Sequence, residues 1–425
     1  MSIFINEWKM QLAGYSRNIR LFLLFNFMWN AGLGTFGLVY NLYVRALGFE
    51  HTMVGSLVGM TAVASAIILI PAGILNDRLG PRRVVSYGLL LVLAALTARS
   101  LLEGRQGLMF SAFLGGMAQA VVSATILPFM ANNSTPAQRV HLFSLNMALA
   151  MIASVLGNLI GGSFSDMFHY LLGLDAVVSL RWTLMIGVGF IALGLVPVLA
   201  YSSDGTTAAV SGKPGVQWQR LSGRQRASLK IIALFAFLSL LSSSAGGMIV
   251  PYLNVYFEDR FLISNTLIGL IVSLGQGATA LAYLLGPVFA RKLGDAKAVV
   301  VLQLSSIPFM LVTAYSTNFY LAGTGYLFRQ ALMNAATPFY NTIKMKYVDP
   351  AMRGLASSSG EAMFNLGWFL AAPVSTGLIA QYGSYYGYAY AFSITAVVYT
   401  LISVLFYFFF CKDRFRPAEE PANGE

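Results

Sequence analysis

Apolar residues run along this chain in blocks of about twenty, and the polar ones gather in the short gaps between them. A helix rising about 1.5 Å per residue needs about 20 such residues to cross a hydrocarbon core. About twelve blocks of that length can be read, near residues 20–43, 52–76, 82–101, 107–130, 138–163, 180–201, 228–257, 264–289, 296–315, 318–343, 354–382 and 385–411. Within each block the apolar residues follow one another without the alternation of a membrane β-strand, so the pattern predicts helices and excludes a barrel. The expected fold class is all-α and integral to a membrane.

Composition agrees with this. Of 425 residues, 57% are hydrophobic and 10% charged, against about 25% charged in a typical soluble domain. A net charge of +11 would suit nucleic acid, but the basic residues are spread over many short loops, and no nucleic-acid partner is expected. With both termini placed in the cytoplasm, 21 of the 27 Lys and Arg fall in cytoplasmic segments and five in outer loops. That bias sets orientation, and a multi-pass protein of the plasma (inner) membrane is expected. The first twenty residues carry Glu7, Lys9, Arg17 and Arg20 and lack a cleavable apolar region, so they read as an interfacial segment with Trp8 at headgroup depth. Cys411, the single cysteine, reads as a small apolar residue. His51, His141 and His169 fall in loops or at helix ends, with no metal-ligand spacing and no nucleophile–base constellation, so no enzyme, cofactor or metal site is expected.

After the sixth block the composition changes sharply. Residues 202–227 are rich in Ser, Gly, Thr and Gln and end in Arg220, Arg224 and Arg226. They divide the chain into residues 1–201, a cytoplasmic linker at 202–227, a second set of six blocks at 228–411 and a cytoplasmic tail at 412–425. The two sets look like copies. A shift of 214 residues lays Tyr43 on Phe257, Gly55 on Gly269 and Leu79-Gly80 on Leu293-Gly294, and it lays Pro136-Ala137-x-Arg139 on Pro350-Ala351-x-Arg353.

The stretch Gly73-Ile-Leu-Asn-Asp-Arg-Leu-Gly-Pro-Arg-Arg83 sets four charges between two of the most apolar blocks. Gly73, Leu75, Asp77, Arg78, Gly80 and Arg82 fit the pattern Gly-x-Leu-x-Asp-Arg-x-Gly-x-Arg. This resembles the signature loop between the second and third helices of the major facilitator superfamily. The second copy, Ala290-Arg-Lys-Leu-Gly-Asp295, has lost the acid equivalent to Asp77. The resemblance implies two pseudo-symmetric six-helix bundles, a small-molecule substrate site between them near the midplane, and transport by rocking one bundle against the other. It also implies a gating role for Gly73, Asp77, Arg78, Gly80 and Arg82, with Asp77 latching onto the N-terminal end of the eleventh helix. Such proteins commonly act as monomers.

Polar residues inside the blocks are the candidates for substrate contact. Asn26, Asn30, Gly34, Gly37 and Asn41 form a stripe on the first helix, which the resemblance turns toward a cavity and which could equally serve helix packing. Gln119 lies on the fourth. The fifth carries Gly157-x-x-x-Gly161-Gly162, similar to a glycine motif of drug exporters but without its Gly-Pro pair. In the second half, Tyr252 and Asn254 follow the possible bend at Pro251, and Gln276 lies on the eighth span.

Arg329 lies near the middle of the tenth span, where a charge is costly and a function is the default reading. It shares a face with Met333, Ala336 and Tyr340, expected to be the cavity face, while Asn334 and Asn341 lie on another. Arg329 would meet an anionic substrate or serve as a structural partner to carbonyls. Glu361 on the eleventh span would take a coupling proton or join a cytoplasmic latch.

The expected function is secondary active transport of a small organic solute, possibly an anion, by alternating access, coupled to protons or running as exchange. A multidrug exporter and a membrane sensor that binds without moving solute are the alternatives.

Overall fold

The computed structural model describes residues 15–134, 136–201, 223–349 and 352–412. The interfacial segment around Trp8, most of the linker, Pro350-Ala351 and the tail beyond Lys412 lie outside the described residues.

The first half forms α1 (Arg17–Ala46), α2 (His51–Leu79), α3 (Pro81–Leu101), α4 (Arg105–Asn132), α5 (Pro136–Asp166) and α6 (Ala176–Leu199). The second half forms α7 (Gly223–Gly247), α8 (Leu253–Phe261), α9 (Asn265–Leu293), α10 (Asp295–Tyr315), α11 (Phe319–Ala335), α12 (Thr337–Tyr347) and α13 (Arg353–Phe406). Among the described residues ten helical stretches are long and apolar enough to cross a membrane. The difference from twelve blocks has two local causes. The tenth block is broken at Ala336, ahead of Pro338, into the short helices α11 and α12. Proline lacks the N–H that would have continued the ladder and is favoured in a first helical turn. The last two blocks run together as α13, interrupted at Gly383 (φ 75°, ψ 175°), a backbone position that glycine reaches at little cost.

The helices gather into two compact units. The first holds residues 1–48, 63–214 and 264–273, and the second holds 49–62, 215–263 and 274–425. In the first, α1 packs against α5 and α6, and α3 pairs with α4; in the second, α7 packs against α13, and α10 pairs with α11. Each unit therefore includes a segment from the other half of the sequence. Under the 214-residue shift these two segments, 49–62 and 264–273, overlap one another.

The loops repeat as well. Gly80 (φ 78°, ψ 153°) caps α3, and its equivalent Gly294 (φ 77°, ψ 152°) caps α10 in the same conformation. The turn after α1 is made by Gly48 at φ 88°, and Leu262 takes the equivalent place at φ 51° after α8.

Candidate functional site

In the second unit the candidate residues cluster around α11. Arg329 is 4% exposed, with the Gln330 amide and the Tyr399 side chain beside it. The guanidinium donates from Nη1 to Gln330 Oε1 at 2.9 Å and lies 6.0 Å from the centre of the Tyr399 ring, while Nε has no hydrogen-bond partner. Among the described residues no carboxylate lies within 4.0 Å of it. A buried cation held by one amide and one tyrosine, with Nε unpartnered, is only partly compensated, which leaves it able to attract an anion.

The same helix packs closely on α9. Gly275 has room for no side chain because the Tyr326 ring fills the place, with Tyr326 Cζ at 2.6 Å from where a Cβ would be. Next to it, Gln276 is half-buried with an unpartnered Oε1, and one turn on Thr279 accepts a 3.2 Å bond from Asn334. Tyr252 is buried with an unpartnered hydroxyl, and Asn254 is buried on α8.

The residues expected to share the Arg329 face have contacts of their own in this unit. Tyr340 donates to the Phe235 carbonyl at 3.4 Å and stacks on Phe406 at 5.6 Å, and Met333 meets Ser306 of α10. Asn341, on the other face, is exposed.

Glu361 is exposed on α13, one residue from Gly360, where the Lys344 ammonium comes within 3.8 Å of the Cβ position. Burial lowers the Lys344 pKa from its ordinary value, and the charge of Glu361 opposes that shift.

In the first unit, Asn30 donates to the Asn26 carbonyl at 2.7 Å and to its Oδ1 at 3.0 Å, and Asn26 reaches the Asn146 carbonyl at 3.5 Å. Gly34 lies against Ser154 of α5. Part of the α1 stripe is thus spent on packing, while Asn30 and Gln119 stay half-buried. In the signature loop, Arg82 donates to the Leu199 carbonyl at 2.9 Å and so caps the C-terminus of α6. Gly73, Asp77 and Arg78 lie in the last turns of α2, and their side chains fall outside the described part.

Two features escape a reading of the sequence. Arg99, counted there with the outer loops, is 8% exposed and stacks 3.9 Å above the Tyr40 ring, with Phe36 at 5.5 Å. Its position on the last turn of an apolar block was the available signal. Asp166 and His51 also bind across helices, with partners too distant in sequence to be paired by spacing.

The model of the Major Facilitator Superfamily matches residues 21–240 and 232–425, which together take in both sets of helices. The chain belongs to the Major Facilitator Superfamily. Membership makes it an integral, multi-pass membrane transporter rather than an enzyme. The fold is that of the nucleoside transporter NupG, with a TM-score of 0.71 and 16% identity over 94% of this chain and 99% of that one. It is also that of an inward-facing bacterial homologue of the human lysosomal transporter Spinster, at 0.73 and 15% over 96% and 99%. Among curated proteins, the quinolone resistance protein NorA of Staphylococcus aureus is 29% identical over 154 residues, 36% of this chain and 40% of NorA. The multidrug resistance protein MdtG of Klebsiella pneumoniae is 30% identical over 144 residues, 32% of this chain and 34% of MdtG. The chain thus spans well under half the length of these curated relatives.

Proposed function

We propose that the protein is a secondary active transporter that moves a small organic anion by alternating access, driven by protons or by exchange. The observation that carries the anion is Arg329, a buried guanidinium with no carboxylate within 4.0 Å among the described residues and one unpartnered donor. Burying a cation in this way costs free energy that a bound carboxylate or phosphate would offset. Gln276, Tyr252 and Asn254 in the second unit are the polar groups assigned to the rest of the solute. Gly73, Asp77, Arg78, Gly80 and Arg82 are assigned to gating, and Glu361 with Lys344 to a latch. In this reading both termini lie in the cytoplasm, the membrane is the plasma membrane, and the monomer suffices.

A second reading is drug export, favoured by the sequence similarity to NorA and MdtG. One experiment separates the two: thermal unfolding of the purified protein with organic anions, nucleosides, sugars and hydrophobic cations, repeated with Arg329→Ala. A ligand that binds the folded state raises its apparent stability. Anions that raise the melting temperature of the wild type and not of the variant support the anion site. A response confined to hydrophobic cations, unchanged in the variant, replaces it with drug export.

A further inference from the structure

The segment Phe49–Ala62 comes from the first half of the sequence but folds into the second unit. Its apolar part docks on α13 by close backbone approach. A Cβ on Gly55 would collide with the Thr376 side chain and stand 3.0 Å from the Ala372 carbonyl, and one on Gly59 would touch Phe369. At the end of this dock, where α2 begins, His51 Nε2 lies 3.2 Å from Asp259 Oδ2 on α8. The Tyr388 hydroxyl of α13 donates to that same oxygen at 3.1 Å, and the two rings meet edge to face at 6.2 Å. The His51 and Asp259 side chains are 13% and 12% exposed.

We propose that His51, Asp259 and Tyr388 form a proton-binding site that fastens the first part of α2 into the second unit, making the dock tighter in acid than in base. Neutral His51 can donate one ordinary hydrogen bond to Asp259. Its protonation turns that bond into an ion pair between imidazolium and carboxylate in a mostly water-free place. The stabilisation is therefore present at low pH and lost as His51 deprotonates. Glu50 and Glu258 flank the pair in sequence and carry charge of the same sign as Asp259. Arg260, the nearby base, is occupied elsewhere, donating to the Tyr385 and Ser316 carbonyls at 3.0 and 2.8 Å and stacking on Tyr385. The role of this proton in coupling rests on the transport reading above; the pH dependence of the dock does not.

The test is amide hydrogen exchange of residues 51–59 in the purified full-length protein, corrected for intrinsic rates, between pH 5.5 and 8.0. Residues 265–273, which carry Asn265 at the place of His51, serve as the internal reference. In the wild type, protection of 51–59 falls roughly threefold to tenfold over this range, the span expected of one hydrogen bond to a charged group in a mostly buried place. In His51→Gln and in Asp259→Asn it is flat, and the reference segment is flat throughout. An equal fall in His51→Gln, or no fall in the wild type, overturns the proposal. Because exchange is read without any solute, failure to find transport leaves this result standing, and a flat wild-type profile leaves the anion site standing.

Discussion

The two borrowed segments are built on one plan and finished with different chemistry. Gly55 meets Ala372 and Thr376; under the 214-residue shift Gly269 meets Asn158 and Gly162, the equivalents of those two residues. One turn on, Gly59 touches Phe369, while Ser273 donates to the carbonyl of Val155 at 3.0 Å. The ends differ. Where α2 starts with an imidazole on a carboxylate, α9 starts with Asp166 accepting from the Asn265 and Thr266 amides at 3.2 and 2.7 Å, and Asn265 donates to Ser165 at 3.0 Å. The α9 end is fastened by a carboxylate on backbone amides with no imidazole beside it, whereas the α2 end carries a histidine, the side chain most open to a charge change near neutral pH. Duplication preserved the space between backbones and left the polar fastenings free to diverge.

The largest effect should come from filling that space. The Cβ of Gly162→Ala would run into the Asn265 carbonyl, a backbone obstacle that cannot rotate away, and overpacking of this kind costs about 1–3 kcal/mol. We expect exchange protection of 265–273 to fall about tenfold or more. Gly55→Ala meets the Thr376 side chain as its nearest obstacle, so its smaller loss should be restored by adding Thr376→Ala. Equal losses that the second substitution does not repair would mean that the two docks are not packed alike.

Smaller effects probe the fastenings. Asp166→Asn removes a charge that interacts favourably with the α9 N-terminus, a change of about 1 kcal/mol, and should loosen 265–273 by the same factor at pH 5.5 and 8.0. Asn265→His places a titratable ring beside Asp166 and should give that segment a pH response of its own, weaker than that of 51–59 because Asp166 is already engaged by two amides. The smallest effect belongs to the turns. Leu262→Gly puts at a left-handed position the residue type that its counterpart Gly48 already supplies, and calorimetry should show a melting temperature higher by about 1 °C, from a gain of roughly 0.5–1 kcal/mol.

The spans were legible because an apolar block of twenty residues has few alternatives in water or lipid. The signature loop was legible because it is local, and Gly80 and Gly294 share one conformation although the second loop lost its acid. The separation of Arg329 from Tyr340 was not, since the helix that carries Arg329 ends at Ala335 and Tyr340 stands on the next one. The break before Pro338 was hidden by a block that stays apolar across it. His51 and Asp259 stand 208 residues apart, and nothing in their spacing announces a pair. Even the repeated dock shows in sequence only as Gly55 over Gly269, because its other members differ in residue type and agree in the room they leave.

Gly383 carries a consequence for how the chain is threaded. Without a break there, α13 would be a single rod of 54 residues, about 80 Å long, against a hydrocarbon core of about 30 Å. With the break, each part is long enough to cross once. One backbone angle, open to glycine and costly for any other residue, thus sets whether the number of crossings is odd or even.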